Sequence, residues 1–278
     1  MNYFSGNMNL VENKGVTYLT FPALEAFPFV RHAFSTRLGG VSQEEYASMN
    51  LNFGRGDPDE NVRENYRRFC NAVGFDPHTL VASAQDHHTF IRRVTAENRG
   101  IGIWKPKDMQ SVDGLITNEP GVTLVTYYAD CVPLFFVDPV KRAVGLAHAG
   151  WRGTVAKIGE EAVKAMQREF GTDPRDVFAA VGPSIGPCCF EVDTPVYEEF
   201  AGQKELSPQE FITADGGGKY HIDLWEANRR ILLQAGVPDA QISVAKLCTK
   251  CHSDLLYSHR ASGGKRGGLA AMICLEEA

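Results

Sequence analysis

No apolar run in this chain approaches the roughly 20 residues of a membrane-spanning helix, so no membrane partner is expected. There is no basic surplus either: 28 Lys and Arg stand against 34 Asp and Glu, a net charge of −6. Non-specific nucleic-acid binding needs a positive field, so that class is disfavoured. The opening stretch MNYFSGNMNLVENKG lacks the charged-then-apolar pattern of a secretory leader, and a cytoplasmic location is expected. Cysteine is sparse and odd in number, seven in 278 residues. Without a secretion pattern these read as free, buried or ligating thiols rather than a disulfide framework. Internal repeats, heptads and a strong linker are also missing. A single domain over residues 1–278, working as a monomer, is expected.

Three apparent motifs lack what their chemistry requires. Cys248-Thr249-Lys250-Cys251-His252 matches the C-x-x-C-H pattern of haem attachment, but the export pattern that goes with it is missing. As a zinc site it would need further ligands, and there is no second C-x-x-C pair. It reads as a thiol-bearing turn after a strand. The vicinal Cys188-Cys189 reads as one buried thiol and one facing a pocket. Gly216-Gly217-Gly218-Lys219 lacks the spacing of a phosphate-binding P-loop and reads as a loop.

What is present centres on Gly121–Gly153. Three apolar runs read as strands, Val122–Tyr128, Val132–Val137 and Ala143–Ala147. Cys131 falls between the first two, and His148 follows the third, before the turn Gly150-Trp151-Arg152-Gly153. Further strands are expected at Val16–Phe21, His32–Ser35, Leu80–Gln85 continuing through Ile91–Val94, Val112–Thr117, Val177–Val181, Ile242–Leu247 and Leu269–Leu275. Val62, Tyr66, Phe69 and Val73 share a helical face that Gly74 ends. Val155, Ile158, Ala162, Met166 and Phe170 share another, ended by Gly171. Helices are also expected from Thr194 to Phe200 and from His221 through Ala235, with the polar 204–218 stretch as a flexible insertion.

From spacing alone, Cys131 and His148 keep three readings. They are core residues of a buried sheet, a Cys–His nucleophile pair, or two ligands of a zinc ion with His87 as the third. His87 and His88 are adjacent on an extended segment, so their side chains point to opposite faces. Arg37, beside Gly39-Gly40, reads as an anion contact or as a solvated turn arginine.

Several runs, taken together and in this order, resemble one family. They are Gln85-Asp86-His87, Asp113-Gly114-Leu115-Ile116-Thr117, Ala129-Asp130-Cys131-Val132-Pro133, His148-Ala149-Gly150-Trp151-Arg152-Gly153-Thr154, Gly182-Pro183-Ser184-Ile185-Gly186, Cys189-Phe190-Glu191-Val192 and Cys248-Thr249. The chain is similar, from about His32 to its carboxyl end, to the YfiH/YlmD family. That family is also called the laccase-domain or polyphenol-oxidase family, and the mammalian purine-metabolism enzyme FAMIN is related to it. The resemblance implies an α/β fold of the α+β type, a mixed sheet core flanked by helices, akin to the cytotoxic-necrotizing-factor catalytic domain. It implies zinc bound by His87, Cys131 and His148, with copper as the older alternative. It also implies purine nucleosides and phosphate as substrates: phosphorolysis of adenosine, inosine and methylthioadenosine, and deamination of adenosine.

For that chemistry Arg37 and the Gly150–Thr154 turn at a helix start are the candidate phosphate cradle, with Arg152 and Arg260 as further candidates. Asp130, Asp223 and Glu191 are candidate acid/base or supporting groups, and Trp151 and Phe190 candidate stacking surfaces. One position departs from the family pattern: His88 stands where glycine is usual, which places a further imidazole at the mouth of the expected site. The rival readings are a copper-dependent phenol oxidase, a zinc hydrolase of cell-wall precursors and a non-enzymatic binding protein.

Overall fold

The computed structural model describes residues 7–276, so the first six residues of the stretch read for a leader lie outside it. Strands Val132–Asp138 and Ala143–Ala149 are buried along their whole length, which is why they read as continuous apolar runs. Alternation still operates within them. Phe135, Val137, Val144 and Leu146 enter one apolar cluster, while Leu134, Phe136, Ala143 and Ala147 enter another.

Two six-stranded mixed sheets result. The first has the order Asn9–Asn13, Val16–Thr20, Val30–Ser35, Leu269–Leu275, Thr123–Tyr128, Leu80–Ala82. The second runs Ile242–Val244, Phe178–Val181, Val132–Asp138, Ala143–Ala149, Gly114–Thr117, Ile91–Arg93. They stack face to face. Leu124, Leu269, Ala271 and Ile273 of the first meet Phe135, Val144 and Leu146 of the second. Each fully buried Phe or Leu there contributes about 1.5–3 kcal/mol of hydrophobic stabilisation.

Helices cover the outer faces. Asp59–Val73 lays Val62, Tyr66 and Phe69 on Ala270 and Met272, and ends at Gly74, whose φ of 96° suits glycine. Ile158–Phe170 and Leu224–Gln234 cover the second sheet. A small sheet of Glu191–Asp193, Lys219–Ile222 and Ile212–Gly216 flanks them. The architecture is the expected α+β fold with a mixed core between helices, built from two stacked sheets.

Local expectations fare unevenly. Leu80–Ala82 and Ile91–Arg93 are not one strand; they belong to different sheets, with the His87 segment bridging them. The 204–218 stretch is not an insertion without structure: Ile212–Gly216 pairs with Lys219–Ile222. His221 lies in that hairpin, and the following helix starts at Leu224 because Asp223 caps it, accepting from Trp225 N and Glu226 N. The turn Trp151–Gly153 is itself helical, in a helix Trp151–Val155 separated from Ile158–Phe170 at Lys157, with φ 57°.

Candidate functional site

The strand Ala143–Ala149 carries the first site residue. His148 keeps the inward phase of Val144 and Leu146, so its ring enters the space between the sheets where that space opens. Cys131 follows Thr123–Tyr128 and precedes Val132–Asp138, at the neighbouring strand end. His87 comes from the bridging segment, with φ 72° in the left-handed region. The three donor atoms lie within 4.8 Å of one another. The imidazole rings of His87 and His148 are 4.9 Å apart.

Asp113 organises this group from beneath. It is fully buried. Its Oδ1 lies 2.8 Å from His148 Nδ1 and accepts from His87 N at 3.0 Å. Its Oδ2 accepts from His88 N at 2.9 Å and Asp86 N at 3.2 Å. One carboxylate thus fixes the His148 ring, leaving Nε2 toward the open side, and shapes the His87 turn. Gln85 anchors the same segment, its amide pairing with both Tyr127 N (2.6 Å) and Tyr127 O (2.8 Å). Gly150 is required by close approach: a Cβ there would stand 2.7 Å from His87 Nδ1 and 3.1 Å from Cys131 Sγ.

Electrostatics follow from these distances. Burial alone would raise the Cys131 thiol, but the His148 charge and hydrogen bonds from both histidines outweigh it and bring it down to about 6. Burial would lower His148, but the Cys131 thiolate and Asp113 overcome it and raise the imidazole to about 9. Three soft-to-borderline donors converge here, and a divalent metal binding them would displace the imidazole's proton.

The cleft in front is cationic although the chain is acidic. A cavity of about 270 Å³ holds His87, Cys131, His148, Arg55, Lys107 and Arg266. An adjoining one of about 470 Å³ adds Arg152, Arg260, Trp151, Phe190 and Asp130. Burial, reinforced by the nearby Arg55 charge, lowers Arg266 to about 10. Its Nη2 donates to Ala129 O at 2.5 Å, against the residue preceding Asp130-Cys131. The Arg152 guanidinium rests on the Trp151 ring, 4.2 Å from its centre.

The structure places Arg37 elsewhere. Its Nε and Nη2 donate to Ala47 O and its Nη1 to Ser253 O, and it lies over the Tyr257 ring. It lines neither cavity beside the three ligand candidates. Its position outside the cleft separates it from the cationic wall, which is made by Arg55, Arg152, Arg260 and Arg266, although Arg260 and Arg266 also donate to chain carbonyls. Arg55 and Arg266 were missed because no local motif marks them; topology alone brings them to the cleft. Nor does the Trp151–Val155 helix, five residues long, offer much of a dipole.

The remaining candidates are accounted for. Asp223 is the helix cap. Asp130 accepts from Thr249 Oγ1 at 2.5 Å and Arg260 N at 2.8 Å, so it braces the cleft wall. Glu191 is exposed, 3.9 Å from Lys219 Nζ. His88 is exposed, turned to Asp86 Oδ1 at 2.6 Å, and lines a cavity that excludes the other three.

Fold and site together define a class: stacked-sheet α+β proteins with a two-nitrogen, one-sulfur donor set at the floor of a cationic cleft. The chain belongs to the family described as multi-copper polyphenol oxidoreductase laccase, whose model matches residues 31–276. It is 40% identical to purine nucleoside phosphorylase YlmD of Bacillus subtilis, over 88% of each chain. It is 35% identical to adenosine deaminase RL5 of an unknown prokaryotic organism, over 84% of this chain and 90% of that one. The crystal structure of Bacillus licheniformis hypothetical protein YfiH superposes with a TM-score of 0.91 at 33% identity, covering 96% of this chain and 99% of the other.

Proposed function

We propose that this protein is a zinc-dependent purine nucleoside phosphorylase, converting adenosine, inosine and methylthioadenosine with phosphate into free base and the ribose 1-phosphate, and that it also deaminates adenosine. The observation that carries the reading is the convergence of His87, Cys131 and His148 on the floor of a cleft walled by arginines. The relatives' names, purine nucleoside phosphorylase and adenosine deaminase, support the two reaction types. The donor set fits the metal: an ionised thiolate and two imidazoles suit zinc, and the cleft leaves a position open to substrate. When bound, such an ion supplies Lewis-acid charge and a water ionised near neutral pH.

The chain's own residues do the rest. Arg152 and Arg260, with Arg55 and Arg266 behind them, hold the phosphate dianion by charge-assisted hydrogen bonds. A phosphate oxygen then attacks the anomeric carbon, the glycosidic C–N bond breaks, and its electron pair leaves with the base, which takes up a proton. Fixing phosphate against that carbon removes the orientational part of the barrier. Phe190 offers a face for the purine ring. Asp113 holds His148 in one tautomer through the cycle.

A multicopper phenol oxidase needs clustered histidines. Among the described residues, the other groups of candidate ligands carry at most one histidine each. A panel of adenosine, inosine, methylthioadenosine and a phenol, with and without phosphate, tests the reading on one preparation. Base release that requires phosphate supports it. Oxygen-consuming phenol turnover without phosphorolysis overturns it.

A further inference from the structure

Away from the three-residue site, the fold closes a second constellation. The loop 182–190 brings Cys188 and Cys189 against Cys248 and Cys251, and all four Sγ atoms lie within 4.8 Å of one another. Cys251 Sγ is 3.5 Å from both Cys188 Sγ and Cys189 Sγ. The partner pair that the C-x-x-C turn lacks in sequence is a vicinal pair about sixty positions upstream. We propose that these four cysteines form a structural zinc site, a closed tetrathiolate that staples the 182–190 loop to the 248–252 turn.

Three features support a metal over a disulfide. Zinc–sulfur bonds of about 2.3 Å place the sulfurs of a tetrahedron about 3.8 Å apart, close to the observed separations. A disulfide needs about 2.05 Å and joins only two sulfurs, whereas here Cys251 is equally near two and a fourth sulfur completes the group. The backbone is also arranged to serve a thiolate, since Gly186 N donates to Cys248 Sγ at 3.3 Å.

The two loops are already registered. Ser184 N donates to Leu247 O and Thr249 N to Ser184 O, and the Trp225 indole donates to Ser184 Oγ at 2.6 Å. Cys248 is buried, while Cys188 and Cys251 are exposed, which leaves a path for metal to enter. The staple stands behind the cleft wall. Cys189 O accepts from Arg260 Nη1 at 3.1 Å, Phe190 lines the cleft, and Thr249 holds Asp130 beside Cys131. The ion therefore sets loop positions and touches no substrate.

The test is metal content and cobalt spectroscopy on the full chain purified without chelator. Cys251→Ser should lose about one metal equivalent per chain, and Cys131→Ala should keep that equivalent. In cobalt-grown Cys131→Ala protein, where the four cysteines make the only candidate ligand group among the described residues that contains a thiolate, the sulfur-to-cobalt charge-transfer absorption should remain, and adding Cys251→Ser should lower it several-fold. This outcome is independent of whether the His87–Cys131–His148 group binds zinc or has any activity. Should Cys251→Ser fail to fold, the wild-type protein is titrated with a mercurial in the presence of a metallochromic dye, with the modified cysteines mapped. Metal release that follows modification of Cys188, Cys189, Cys248 and Cys251 supports the site. Unchanged metal content in folded Cys251→Ser, release that tracks Cys131 alone, or a disulfide within the four in freshly purified protein would overturn it.

Discussion

Cys131 stands with two imidazoles and an open cavity before it; Cys251 stands with three other sulfurs. The first group has a buried carboxylate, Asp113, tying its ligand candidates together, and arginines on the rim. The second has backbone and packing behind it and no comparable charge. The contrast teaches that a thiol's partners, more than its own burial, separate a place for chemistry from a place for architecture. Three donors with a free side can admit substrate, whereas four donors of one kind leave no position for it.

Short of removing a ligand itself, the largest expected effect comes from Asp113→Ala. It leaves His148 Nδ1 and three backbone N–H groups without their acceptor. Loss of a carboxylate that supports metal ligands costs about 10–100-fold in metal affinity or activity. Phosphorolysis and deamination should both fall by at least that much. Cys251→Ser should instead lower the unfolding temperature and spare turnover in the cold. The contrast between the two regions breaks down if Cys251→Ser matches the activity loss of Asp113→Ala without any change in stability.

The difference in legibility between the two regions has the same origin. Strand and helix existence could be read from apolar runs such as Val132–Val137 and from the Val62–Val73 face. The family resemblance pointed to His87, Cys131 and His148, because each stands in a short local motif. The four-cysteine group shows no second C-x-x-C along the chain, because the partners of Cys248 and Cys251 arrive through tertiary contact. Arg55 and Arg266 escaped for that reason as well. Arg37 has a Gly-Gly pair nearby in sequence, and that pattern does not show that Ala47 O and Ser253 O take its donors.

A smaller effect separates the rim of the open site from the arginines that only hold the chain. Arg152→Ala and Arg260→Ala should each raise the phosphate concentration for half-maximal rate about tenfold to a hundredfold, since a charge-assisted contact is worth about 1.5–3 kcal/mol. Adenosine deamination, which needs no phosphate, should change less. Arg37→Ala should leave that phosphate dependence alone and lower stability by about 2 kcal/mol through its lost carbonyl contacts. A phosphate defect in Arg37→Ala at normal stability would return it to the site.

The smallest effect uses a histidine that is buried without charged company. His32, against Phe21 and Phe135, is lowered from 6.5 to about 4 by burial, the opposite of His148. Its Nε2 accepts from Phe21 N at 2.8 Å, so the folded form requires the neutral ring. The unfolded chain therefore binds the extra proton. The stability due to this ring is complete above pH 6.5 and is lost as pH falls toward 4. Urea unfolding should show about 2 kcal/mol more acid loss between about pH 7 and 5 in wild type than in His32→Gln. Equal slopes would mean that burial alone does not set the histidine.

The most direct test of the account is ribose 1-phosphate formation from inosine and phosphate by wild type and Cys131→Ala, with unfolding midpoints measured on both. The expected result is phosphate-dependent product from the wild type and a loss of more than about a hundredfold in the variant, at a closely similar midpoint. Undiminished product from folded Cys131→Ala, or no phosphate-dependent product from metal-replete wild type, would contradict it.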